Sequence, residues 1–196
     1  MSDVQVIRAT LEHVPAIRAM VQAAYAKYVE RIGRPPAPML ADYEKILDEG
    51  VQEVWVLVLQ STSVKTIPSS SPPNSVDEQG GQQKQQTSGA GGQKGDERSP
   101  PALGSIIVAP DSHCAAAMKV NNLVVDPDSQ GKGYGRVLMA FAEELARSRG
   151  LDKLTLFTNV MMWENIGLYA KLGFSETGRR VEDGYERVYF EKRLEG

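Results

Sequence analysis

Residues 61–101, STSVKTIPSSSPPNSVDEQGGQQKQQTSGAGGQKGDERSPP, constrain how the rest of the chain must fold. The stretch has no aromatic residue and four apolar ones (Val64, Ile67, Val76 and Ala90), while Ser, Gln, Gly and Pro fill 25 of its 41 positions. A segment of this composition buries too little apolar surface to offset the entropy of ordering it, so it reads as a disordered insertion. The remainder, about 155 residues, must then share one core, and it is long enough for a single domain. A long insertion costs little in loop closure when its ends already lie side by side. Strand-like runs flank it, VQEVWVLVLQ (51–60) and ALGSIIVAP (102–110), which predicts a hairpin carrying the insertion in its connection. The many Ser and Thr positions equally suit a regulatory or partner-binding loop open to phosphorylation.

The flanking segments alternate between two periods. VQVIRA (4–9) alternates as a strand, and Val14, Ile17, Val21 and Tyr25 then recur at helical spacing behind a Thr10 cap. Gly33 and three prolines break that helix, and a second short one is expected over 39–48. MKVNNLVVD (118–126) reads as a strand. Leu138, Phe141, Ala142 and Leu145 mark one face of a helix from Arg136 to Gly150. KLTLFTN (153–159) is a strand, 163–173 a helix and VYFEKRL (188–194) a strand, with a further short strand expected around 174–180. The order describes an α+β, mixed α/β domain built on one sheet.

Composition excludes several functions. The net charge of −3 gives no field that favours nucleic acid or acidic lipid. One cysteine, Cys114, forms no internal disulfide, and no Cys/His cluster has zinc-ligand spacing. No signal-peptide pattern opens the chain and no apolar run reaches about 18 residues, so the expectation is an intracellular, cytoplasmic protein without a membrane span, the nucleus remaining open.

The stretch VVDPDSQGKGYGRVLMAFAEELA (124–146) places Gly131, Gly133 and Gly135 on alternate positions between a strand and a helix. Glycines let the backbone turn sharply and approach a ligand, and amides at a helix N-terminus favour a phosphate. Lys132 and Arg136 add cations at the rim. The loop is neither a Walker A string nor a dinucleotide fingerprint, whose third glycine would fall on Arg136. A glycine-rich turn without a ligand is the competing reading of the loop alone.

LVVDPDSQGKGYGRVLMAFAEELA resembles the acetyl-CoA-binding segment of the GNAT superfamily of N-acetyltransferases, whose [QR]-x-x-G-x-[GA] signature is met by Gln130, Gly133 and Gly135. NIGLYAKLGF (165–174) is similar to that family's helix ending in L-Y-x-x-L-G-F, in the right order and spacing. The resemblance spans residues 4–194 outside the insertion and implies one N-acetyltransferase domain over 1–196. It implies a mostly antiparallel sheet with helices on both faces, splayed at the cofactor site.

It further implies acetyl-CoA as co-substrate, with no metal. The backbone of Leu123, Val124 and Val125 would bind the acetyl carbonyl and pantetheine arm. Gln130, Gly131, Lys132, Gly133, Tyr134, Gly135 and Arg136 would cradle the pyrophosphate. Tyr169 would be the general acid for the departing thiolate, a phenol suited to hold its proton at neutral pH. The oxyanion of the tetrahedral intermediate would rest on backbone N–H groups near Leu123.

Relatives often carry an asparagine seven residues before that tyrosine; here the position is Met162, with Asn165 chosen over Asn159 as its substitute. The matching strand offers Asn121 and Asn122, which are not bases, so the amine proton is expected to leave through water. Glu53 and His113 are the titratable alternatives; the strand can equally point Glu53 at solvent, and the turn around His113 favours a surface histidine over a catalytic one. Tyr25, Tyr28, Arg31 and Arg34 fall near the expected acceptor mouth, where arginines clamp a carboxylate or stay solvated, and Trp163 and Tyr185 line the cleft or simply pack. The expected acceptor is a small amine or amino-acid-like molecule, ahead of a peptide N-terminus or lysine. A CoA-binding regulatory protein without turnover is the reading from a different class. Family members are often homodimers, though no residue here demands it.

Overall fold

The computed structural model describes residues 4–60 and 101–195; apart from Pro101, the expected insertion lies outside them. The elements run β1 (Val4–Arg8), α1 (Val14–Ile32), α2 (Tyr43–Glu49), β2 (Glu53–Leu59), β3 (Ala102–Pro110), β4 (Ala117–Val125), α3 (Tyr134–Ser148), β5 (Lys153–Asn159), α4 (Trp163–Lys171), β6 (Ser175–Glu182) and β7 (Tyr185–Arg193). Among the described residues, no helix is long and apolar enough to cross a membrane.

Local chemistry sets the boundaries. Thr10 and His13 form a reciprocal capping box ahead of α1, and Gly33 ends that helix at φ 79°. The second helix starts later than its apolar spacing suggests, because Ala37–Leu40 close into a 3-10 turn. Asp42 then caps α2 by accepting from the Lys45 amide at 3.0 Å.

Seven strands form one sheet in the order β1-β2-β3-β4-β5-β7-β6, antiparallel except for β4 beside β5. The hairpin expected around the insertion is present, with Val58 of β2 opposite Ala102 of β3. Helices cover both faces. Leu138, Met139, Ala142 and Ala146 of α3 and Tyr169 of α4 pack with Val108, Val120, Leu156 and Phe190 on one side. Ile17, Met20 and Val21 of α1 and Tyr43 of α2 pack with Val54, Val56, Ile107 and Val124 on the other.

One irregularity shapes the centre of the sheet. Ile107 pairs with Asn122 and Val108 with Val120, so Asn121 is an extra residue in β4, a β-bulge. Side chains alternate between faces along a strand, so one extra residue inverts the alternation. Met118 and Val120 therefore face α3 and α4, whereas Val124 faces α1 and α2. The parallel ladder to β5 stops at the same point, with Val120 opposite Leu156. From Asn121 onward β4 has no partner in β5, and the sheet opens there.

Candidate active site

Immediately after β4 the chain makes the glycine loop. Gly131 and Gly133 take φ of 79° and 85°, a left-handed conformation costly for any other residue. Gly135 is different: it lies in the first turn of α3, and a Cβ there would only touch the Leu123 and Val125 side chains at 3.8 Å. Gly133 caps α3 with no side chain to compete, and the helix first uses the Arg136 and Val137 amides. Among the described residues the amides of 131–135 have no partner, so a row of N–H donors faces outward at a helix N-terminus. Gln130 steadies the loop by donating from Nε2 to the Val125 carbonyl at 3.2 Å.

Two cavities meet at the opening in the sheet. The outer one, about 500 Å³, runs from Gln130, Gly133 and Arg136 past the Leu123–Val125 backbone toward Asn165 and Leu168. The inner one, about 230 Å³, lies between β4 and β5 and reaches Tyr43, Phe157, Tyr169 and Tyr185. Tyr25, Leu123 and Asn165 line both. Free loop amides, an unpaired strand edge and an elongated cavity suit a group that ends in a pyrophosphate and carries an amide-bearing arm.

Tyr169 is 9% exposed, edge-on to Phe174 and tilted against Phe190, and its hydroxyl has no hydrogen-bond partner among the described residues. Burial pushes this phenol up to about 12, with Tyr28 adding to it. Burial likewise takes Tyr43 to about 12 and lifts Tyr25 well above the ordinary phenol range. All three are proton donors at neutral pH.

The Tyr25 hydroxyl donates to Asn122 Oδ1 at 2.7 Å. Asn122 is 8% exposed, lines the inner cavity, and its Nδ2 is buried without a partner. Such an orphaned donor costs about 1–3 kcal/mol in a folded protein. The sequence reading discounted Asn122 because it is no base. A signal was available, since a polar pair inside VNNLVV needs a reason to be buried.

Other expected residues divide. Leu123, Val124, Val125, Gln130, Gly131, Gly133, Tyr134, Gly135, Arg136 and Asn165 come together along the outer cavity. Lys132 does not join its lining; its Nζ donates to the Asp128 carbonyl at 3.2 Å, which turns the side chain back onto its own loop. Arg31 is held by Glu164 at 2.8 and 3.0 Å and stacks on Trp163, itself 53% exposed. Arg34 stacks on Tyr185 and donates to the Asp183 carbonyl, while the Tyr185 hydroxyl donates to the Pro35 carbonyl at 2.7 Å. Neither arginine is free to clamp an acceptor. Tyr185 does line the inner cavity; Trp163 does not.

Glu53 is bound by Arg8 and Arg149, His113 lies exposed in the β3–β4 turn, and neither lines either cavity. Met162 is buried, its sulfur accepting from Thr158 Oγ1 and Asn165 Nδ2 at 3.5 and 3.6 Å. Asn159 spends its Oδ1 on the Met161 amide at 2.9 Å, which leaves Asn165 at the junction. Arg187, unforeseen in sequence, is among the described residues the one charged side chain lining the inner cavity, and it is paired with Glu182 and Asp183.

Comparison with known proteins agrees with this geometry. Residues 97–176 match the family model described as an acetyltransferase (GNAT) domain. Over 67 residues the chain is 37% identical to the peptidyl-lysine N-acetyltransferase YjaB of Escherichia coli, covering 34% of this chain and 42% of that one. The chain thus spans less than half the length of the curated relatives it matches. Two solved structures share the fold at under 25% identity. One is a GNAT-family acetyltransferase from Staphylococcus aureus (TM-score 0.60, 10% identity, 98% and 99% of the two chains). The other is the ribosomal-protein-S18-alanine N-acetyltransferase of Escherichia coli (TM-score 0.59, 18% identity, 98% and 95%). With its glycine loop and opened sheet, the chain carries a match to the GNAT acetyltransferase domain over residues 97–176, and it shares the fold of solved GNAT acetyltransferases.

Proposed function

We propose that the protein transfers acetyl from acetyl-CoA to the primary amine of a small or amino-acid-like acceptor. The observation that carries this reading is the meeting of two cavities at Tyr25, Leu123 and Asn165, with Tyr169 on the inner side. The outer cavity would hold the CoA portion on the amides of 131–135 and the free edge of β4, and the inner one the acceptor. Acetyl-CoA supplies the electrophilic thioester and its thiol leaving group. Tyr169 keeps a proton ready at the inner cavity, and Gln130 fixes the loop.

A peptidyl-lysine acceptor is the second reading, favoured by the relative YjaB being a peptidyl-lysine N-acetyltransferase. The test is thiol release from acetyl-CoA across amines, amino-acid derivatives and lysine peptides, with Tyr169→Phe in parallel. Amine-dependent release that collapses in the variant supports transfer with Tyr169 as acid. Binding of acetyl-CoA with no release on any amine would instead support a regulatory CoA-binding protein.

A further inference from the structure

The inner cavity presents an unusual set of groups to an amine. Among the described residues no carboxylate lines it, and its one cation, Arg187, is already paired. Tyr25, Tyr43 and Tyr169 on its wall hold their protons, so none of these three deprotonates an ammonium. A buried ammonium without a counter-charge is disfavoured, so the cavity takes its acceptor as the neutral amine. An α-amine next to an amide carbonyl titrates near 8, whereas a lysine-type amine titrates near 10.4. At about pH 7.5 roughly a third of the former is neutral, against about one in a thousand of the latter.

A second observation points the same way. Asn122 lines the cavity with its Oδ1 pinned by Tyr25, while its Nδ2 is buried behind the wall, near Tyr43, without a hydrogen-bond partner. Tyr25 and Leu123, the residues bonded to and following Asn122, both line the junction of the two cavities. Asn122 therefore belongs to the wall beside the junction where the amine must attack, and an acceptor oxygen that drew its buried Nδ2 into the cavity would lie within a few bonds of the reacting nitrogen.

Resting on the transferase reading, we propose that Asn122 recognises an α-amino carbonyl acceptor. Its Nδ2 donates to the carbonyl beside the amine, and the inner cavity discriminates against polyamines and lysine-type amines. In the reaction the neutral nitrogen forms the bond to the acetyl carbon as the C–S bond breaks. The thiolate takes the Tyr169 proton, the new amide nitrogen releases one proton to water, and the phenol regains one from water.

The test measures kcat/KM for leucinamide, a hexapeptide with N-terminal leucine, isopentylamine, spermidine and Nα-acetyl-lysine methylamide. Rates are referred to the neutral amine, so that basicity is separated from recognition. The α-amino amides should exceed isopentylamine by about ten- to a hundredfold, the range expected for one buried hydrogen bond. Asn122→Leu should bring that ratio within about threefold of unity while the acetyl-CoA Kd by calorimetry stays the same. Asn122→Ala, which removes the donor without adding bulk or charge, should do likewise if the leucine variant does not fold. Preference for leucinamide over the hexapeptide assigns a small acceptor, the reverse a peptide N-terminus; both support the proposal. Faster turnover of spermidine or the lysine derivative, or a ratio unmoved in both variants, overturns it. Absence of release with every amine overturns the transferase reading itself.

Discussion

At Tyr169 the physics of burial and the chemistry of proton donation coincide. In the proposed acid role the phenol would work below its pKa, so raising it to about 12 would extend the working range upward. The expected pH profile of kcat/KM rises with the acceptor's own ionisation and then stays flat to about pH 10, with no falling limb from this residue. Tyr169→Phe should lower kcat about 10²–10⁴-fold with acetyl-CoA affinity unchanged, as read by initial rates and calorimetry. A falling limb near pH 8 would remove Tyr169 from the acid role. The same shift has a stability consequence. The folded state binds the phenolic proton more tightly than the unfolded chain, so the contribution is complete below pH 10 and disappears as pH rises through about 12. Thermal melts from pH 9 to 11 should fall less steeply for Tyr169→Phe than for the wild type. Tyr169 was legible because its helix carries a specific motif. Asn122 was not, because the pairing that buries it depends on Tyr25, 97 positions away.

The bulge at Asn121 is the element on which the site depends. Because Val120 and Asn122 already pair with adjacent residues of β3, deleting Asn121 leaves every other side chain on its present face. The core should survive, while the strand straightens and its ladder with β5 extends past Val120 and Leu156, closing the opening. The expected result for the deletion is a cooperative melt with acetyl-CoA binding weakened at least about tenfold, by circular dichroism and calorimetry. Undiminished binding would show that the opening does not depend on the bulge. Gly104 probes the opposite flank. A Cβ there would meet the Val124 carbonyl at 2.9 Å and the Leu138 side-chain end at 3.0 Å, so Gly104→Ala must displace the β4 backbone at a cost of about 1–3 kcal/mol. The strands and helices themselves were readable from period alone, because alternation and 3.6-residue spacing report which face is buried. The bulge escaped because VNNLVV alternates acceptably in either register, and only the partner strand decides between them. The start of α2 escaped for a related reason: prolines 35, 36 and 38 favour a 3-10 turn that apolar spacing does not reveal.

For the molecule as a whole, the decisive inference was that two separated segments build one sheet. The β2–β3 ladder joins them, and Val58 opposite Ala102 means that the chain leaves and re-enters at neighbouring points. If residues 61–100 add no contact to the core, replacing them with a four-residue turn removes only loop-closure entropy. Going from about 40 to about 4 residues is worth about 2 kcal/mol on the logarithmic scaling of loop closure. For a core of this size that raises Tm by about 4–8 °C. Acetyl-CoA affinity should not change, because the loop amides and the opening depend on β4, β5 and α3, which the replacement leaves intact. A lower Tm at unchanged affinity would mean that the segment packs on the domain and contributes to its stability. A lower affinity at unchanged Tm would make it part of the binding surface, and the same two measurements separate those roles from the silent connection that its composition implies.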